Sequence, residues 1–115
     1  YLLLLLLMEL NQGEEVDAHL KDHQEDSAEW LYTSALRLFQ VSGRSEKANQ
    51  TLEKALENNP YIPAYLLGNK RIPHQLPPGI IFGEESEAVV YAAAYLAVWR
   101  NTQGALDWLR SVLNT

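Results

Sequence analysis

The chain contains no cysteine, so disulfide bridges, thiol catalysis and cysteine-bearing zinc motifs are excluded at the outset. No apolar run approaches the roughly 18 residues a spanning helix needs. The longest stretches are Tyr1–Met8 and Ala88–Trp99. Positive charge is also scarce: 9 basic against 15 acidic residues give a net charge of −6, which disfavours a phosphate-backbone partner. Neither nucleic-acid binding nor membrane insertion by this segment is therefore expected. No glycines have the spacing of a phosphate-binding loop, and there is no nucleophile elbow. What is there, 115 residues of which 47% are hydrophobic and 21% charged, suits one folded domain.

Charge and punctuation divide that domain. Residues 1–59 carry eleven acids and five bases, whereas 60–115 carry four of each, so the net charge sits in the first part. All five prolines (Pro60, Pro63, Pro73, Pro77, Pro78) fall between 60 and 78, where regular helix must stop. The opening Leu2–Leu7 run lies mid-pattern without a preceding methionine, which reads as a cut inside a helix of a longer chain. A secretory signal does not fit, because no positive region precedes the run and Glu9 stands where small residues would be cleaved. The expected location is cytoplasmic. An all-apolar helix must be covered on most sides, by preceding chain or, through this leucine-rich face, by a second copy.

Helical signals then recur in pairs. Val16 and Leu20 share one face after an Asn11-Gln12-Gly13 turn. Ser27 can cap a helix carrying the stripe Leu31, Ala35, Leu38 and Phe39; Gly43 ends it. Ser45 can cap a successor with Ala48, Leu52, Ala55 and Leu56 inward, stopped by Pro60. A short helix should follow between Pro60 and Gly68, then an apolar, proline-rich segment over Asn69–Phe82 that reads as extended chain lying on the helices. Ala88–Arg100, with its Tyr91, Tyr95 and Trp99 ladder, should be a central helix behind the acidic run Glu84–Glu87. Thr102 is the expected cap of the last helix, whose inward stripe is Ala105, Leu109 and Val112.

The spacing Tyr32-x2-Ala35-Leu36-x2-Phe39, Gly43, Ala48-x3-Leu52-x2-Ala55, Pro60 resembles the tetratricopeptide pattern. Small residues let paired helices approach, bulky ones fill the gaps, and proline separates one pair from the next. Leu36 and Leu52 depart from it, standing where glycine or alanine and an aromatic are commonest. The resemblance implies an all-α fold of antiparallel hairpins stacked as a short right-handed solenoid. Residues 1–26 would end a preceding repeat, 27–60 form the best-matching one, 61–83 hold the short helix and proline-rich segment, and 84–115 make a closing hairpin. A narrower likeness covers the second half. Asn59-Pro60-x2-Pro63-x-Tyr65-Leu66-Leu67, Gly83-Glu84-x2-Glu87-Ala88-Val89-x-Tyr91-Ala92, Trp99 and Gly104-Ala105-Leu106 resemble the tail of the suppressor-of-tumorigenicity-7 family. That resemblance implies a helical-repeat interaction protein without established chemistry.

Chemical sites are weakly signalled. His19 and His23 lie one helical turn apart with Glu15 a turn earlier, but Lys21 intervenes and the zinc-peptidase glutamate is missing, so a solvated acidic face is expected and no metal. Glu14/Glu15 and Glu84/Glu85 point apart and suit helix starts better than acid–base pairs. Lys70-Arg71 beside a proline is a thin anion site. No catalytic residue and no cofactor is expected. The better functional expectation is a partner-binding strip on the helix after Ser27, formed by Trp30, Thr33, Arg37 and Gln40, where an aromatic plate and a fork-shaped cation could meet a peptide carboxylate. Packing of Trp30 against a preceding helix is the competing reading. A non-catalytic scaffold binding a peptide or protein is thus expected, with an accessory domain of a larger enzyme as the alternative.

Overall fold

The computed structural model describes residues 2–22 and 27–114. Among them every regular element is an α-helix: α1 (Leu2–Glu9), α2 (Gly13–Asp22), α3 (Ala28–Ser42), α4 (Glu46–Asn58), α5 (Ile62–Leu66), α6 (Glu85–Asn101) and α7 (Ala105–Leu113). The two serine caps form as their positions dictate. Ser27 Oγ accepts from the Trp30 amide and Ser45 Oγ from the Ala48 amide, each at 3.2 Å. Between them Gly43 adopts φ +63°, a conformation that suits glycine, and its N–H reaches the Phe39 carbonyl at 2.7 Å.

This short turn folds α4 back along α3. Ala35, Ala48 and Ala55 are fully buried in the hairpin together with Tyr32 and Leu52. Small side chains at these positions let the two helices come close, and the larger ones fill what is left. α6 is the central helix, packed against α1, α3, α5 and α7, while α7 also meets α4. Its aromatic ladder forms much of the core. Tyr91 and Tyr95 stack with ring centroids 4.6 Å apart, and Trp99 Nε1 donates to the Tyr91 hydroxyl at 3.0 Å. Phe39 stacks on Trp108 at 4.6 Å, which ties the first hairpin to α7. Among the described residues no helix is long and apolar enough to cross a membrane.

The structure corrects four local expectations. α6 starts at Glu85, and the helix near Pro60 is only Ile62–Leu66, with the proline inside it being Pro63 rather than Pro60. Thr102 does not cap α7; its Oγ1 donates back to the Val98 carbonyl at 2.9 Å, closing α6, and Gly104 at φ +82° opens α7. The proline-rich segment does not lie flat on the helices. Ile72 packs against the core, but Ile81 and Phe82 are 68% and 67% exposed. The segment is tied near its ends, where Lys70 meets Glu85 and the Ile81 amide donates to Ser86 Oγ, yet Leu76 and Ile80 are exposed as well. The leucines of α1 divide similarly: Leu4 and Met8 are buried, whereas Leu3 and Leu6 face outward.

Candidate functional site

Trp30, Thr33, Arg37 and Gln40 do form one strip along α3, in the seam between α2 and α6. Each polar head is engaged there. Trp30 Nε1 donates to the Leu20 carbonyl at 2.9 Å, the contact to a preceding helix that the sequence offered as the competing reading. The Arg37 guanidinium forks onto Asp17, with Nε to Oδ1 at 2.7 Å and Nη2 to Oδ2 at 3.2 Å. Gln40 Nε2 donates to Thr102 Oγ1 at 3.0 Å, and buried Thr33 shares a hydrogen bond with the Tyr91 hydroxyl at 3.3 Å. Of the two histidines, His19 lies on α2 and His23 falls outside the described residues. Lys70 sits against Glu85 and 5.8 Å from the Tyr65 ring centre, so the Lys70-Arg71 pair presents a cation already matched to a carboxylate. That bond to Glu85 raises the Lys70 ammonium above its ordinary range, and the same bond lowers the Glu85 carboxyl.

A second arrangement was not foreseen. Glu87, only 4% exposed, takes the Ala28 amide at the start of α3 (3.3 Å), the Gly83 amide (2.9 Å) and Asn59 Nδ2 (2.9 Å). Asn59 in turn donates to the Glu84 carbonyl at 3.0 Å, accepts from the Tyr61 amide at 3.0 Å, and offers its own carbonyl to the Tyr32 hydroxyl at 2.6 Å. One carboxylate thus joins the end of α4, the start of α3 and the start of α6. Burial raises the Tyr32 phenol well above its usual range, with Tyr91 and Glu87 adding to the effect. Asn59, Gly83 and Glu87 are all residues of the second-half motif, so at these three positions the motif encodes a junction. The acidic run at 84–87 concealed this in the sequence, because three of its four members look equally suited to a helix start.

Beside this junction lies a half-open pocket of about 290 Å³. It is lined by Val90, Tyr91, Ala94 and Tyr95 of α6, by Leu5 of α1 and by the exposed Ile80 and Phe82. Glu29 and Glu87 also line it. The Tyr95 hydroxyl donates to Glu29 Oε2, and burial, followed by that bond, pushes the Tyr95 phenol far up. Because four separate segments supply the wall, no local pattern announces the pocket.

Fold and site together define an all-α protein whose helices are joined at a buried carboxylate–amide junction. The ST7 protein family matches residues 28–115, and the chain belongs to that family. It is 41% identical over 70 residues to the Protein ST7 homolog of Drosophila melanogaster, covering 60% of this chain and 13% of that protein. To the Suppressor of tumorigenicity 7 protein of Macaca fascicularis it is 34% identical over an alignment of 127 residues, covering 93% of this chain and 23% of the relative. The corresponding protein of Rattus norvegicus gives 34% over the same length and 22% of the relative. The chain thus spans less than a quarter of these curated relatives. No solved structure matches it.

Proposed function

We propose that this chain is a non-catalytic, tetratricopeptide-like interaction module that docks a peptide or protein partner, and that it works in the cytoplasm. The observation that carries the reading is the pairing of helices: α3 packs on α6 while α4 packs on α7, contacts of the kind two stacked hairpins would make. Packing of this kind supports a short solenoid, with Trp30, Arg37 and Gln40 of α3 as the surface nearest a partner; Thr33, fully buried against Tyr91, is not part of it. Trp30 and Arg37 are half-buried rather than sealed, and the Asp17 carboxylate that holds Arg37 is mostly exposed, at 55%. A partner carboxylate could replace it, since the pair is solvent-screened and worth only about 0–1 kcal/mol.

The test is capture of partners from a lysate by wild type, by Trp30→Ala/Arg37→Ala and by Asp17→Ala. If Arg37 meets a partner, the double variant loses capture while Asp17→Ala, which breaks the same internal ion pair but leaves the guanidinium, keeps or improves it. Equal recovery by all three removes the α3 surface. Light scattering over a concentration series checks the other occupant, a second copy held through Leu3 and Leu6.

A further inference from the structure

Trp30 and Arg37, two heads of the α3 surface, are held by the same neighbouring helix. Asp17 of α2 receives the fork of the Arg37 guanidinium, and the Leu20 carbonyl of α2 receives the Trp30 indole N–H. Leu20 lies in the last turn of α2, where a carbonyl finds no amide further along the helix, so the indole closes that end from outside. Arg37 is the one basic residue of α3, whereas α2 carries Glu14, Glu15, Asp17 and Asp22 against Lys21. An acidic helix therefore sits where the interaction reading places a partner's carboxylate.

The hold of α2 is thin. Of its ten residues only Val16 and Leu20 are buried. The Arg37–Asp17 pair adds little to them, because Asp17 is mostly exposed and solvent screens the pair. A pivot stands at the start of α2: the chain leaves α1 through Asn11 at φ +57°, a left-handed turn that asparagine tolerates, while Leu4 and Met8 keep α1 buried against the core. The other two indoles are fastened without α2, Trp99 to the Tyr91 hydroxyl within α6 and Trp108 to Asn49 of α4 at 2.7 Å. We propose that α2 is an autoinhibitory cover, which occupies Trp30 and Arg37 in place of the partner and must swing off α3 before the partner docks. It opens as a unit less stable than the whole fold, and the bonds of Trp99 and Trp108 persist when it does. The inference rests on the interaction reading above, but the opening itself is measured without a partner.

Hydrogen exchange of the three tryptophan indole N–H protons, followed by NMR on the full chain, reads the cover. Val16→Ala, which strips two buried methyls from α2, should speed Trp30 exchange at least about tenfold. Asp17→Ala serves if Val16→Ala does not fold, with an acceleration of about two- to fivefold. Ser45→Ala, which weakens the α4 cap, should speed Trp99 and Trp108 about fivefold and leave Trp30 unchanged. If Ser45→Ala instead accelerates all three indoles alike, α2 opens only with the whole fold and the cover is overturned. A Trp30 rate that Val16→Ala leaves unchanged has the same consequence. Opening must also govern docking. In the capture experiment Val16→Ala should recover more of the proteins that Trp30→Ala/Arg37→Ala loses, in proportion to its opening, since apparent affinity scales with the competent fraction. Faster Trp30 exchange without greater recovery overturns autoinhibition. Equal recovery by wild type and Trp30→Ala/Arg37→Ala removes the α3 interaction reading and autoinhibition with it, while the indole rates still report whether α2 opens, so the two failures are told apart.

Discussion

Glu87 illustrates how much one side chain can hold. Replacing it with alanine removes an acceptor from three buried or half-buried donors and leaves them to find water or go unpaired. Such losses cost about 1–3 kcal/mol per stranded group before relaxation, so Glu87→Ala should lose about 3 kcal/mol or more of stability. Glu84→Ala, at an exposed position without a side-chain cap bond, should change stability by no more than about 0.5 kcal/mol. Urea denaturation of both variants checks the contrast; equal effects would mean the junction contributes nothing special. Ser34 is the converse case. It is 8% exposed, and its Oγ is the buried side-chain polar atom without a hydrogen-bond partner among the described residues. Ser34→Ala removes an unpaid desolvation and raises helix propensity, so it should stabilise the protein by about 0.5–1 kcal/mol, read as a higher urea midpoint with unchanged slope.

Helices were legible wherever their signals were local. Ser27 and Ser45 cap the helices that follow them because a serine before an apolar stripe needs only its next three residues to act. The Tyr32–Pro60 size pattern was legible for a related reason: a hairpin buries its own two faces, so both partners lie within one short stretch of chain. Thr102 was misread because a threonine between two helices can serve either, and Gly104, whose left-handed turn opens α7, was the signal that should have decided it. Nothing local could show the Asn59–Glu87 junction or the pocket, whose members come from segments far apart in sequence. The local signals carry a quantitative expectation. Ser45→Ala should cost about 1 kcal/mol, and Gly43→Ala a similar amount, because an alanine at φ +63° is strained even though its Cβ meets nothing. Both should appear in thermal melts monitored by circular dichroism, and an unchanged midpoint for Ser45→Ala would mean the α4 cap is not formed.

Three phenols buried in the shared core make the molecule as a whole sensitive to alkali. Burial raises Tyr32, Tyr91 and Tyr95 above the ordinary tyrosine range; Glu29 adds to the effect at Tyr95, whereas the hydrogen bonds from Thr33 and Trp99 partly offset it at Tyr91. In the unfolded chain the same phenols lose their protons near pH 10. Above that point the unfolded state binds fewer protons than the native one, so stability falls as pH rises; below it the tyrosines contribute no slope. Each phenol supplies up to about 1.4 kcal/mol per pH unit, and three together up to about 4, enough to exhaust a typical domain's stability within two to three units. Lys70, raised by its bond to Glu85, acts in the same direction, but it is exposed and solvent screens it. Helix content should therefore hold to about pH 10 and then collapse cooperatively, with tyrosinate absorbance from the buried phenols rising together with the loss of helix. Tyr91→Phe should lower stability at neutral pH, because Trp99 Nε1 and Thr33 lose their partner, yet flatten the alkaline slope by about a third. Tyrosinate appearing while the helices persist, or a slope identical in wild type and Tyr91→Phe, would show that the aromatic ladder is open to solvent and does not form the core that joins the two hairpins.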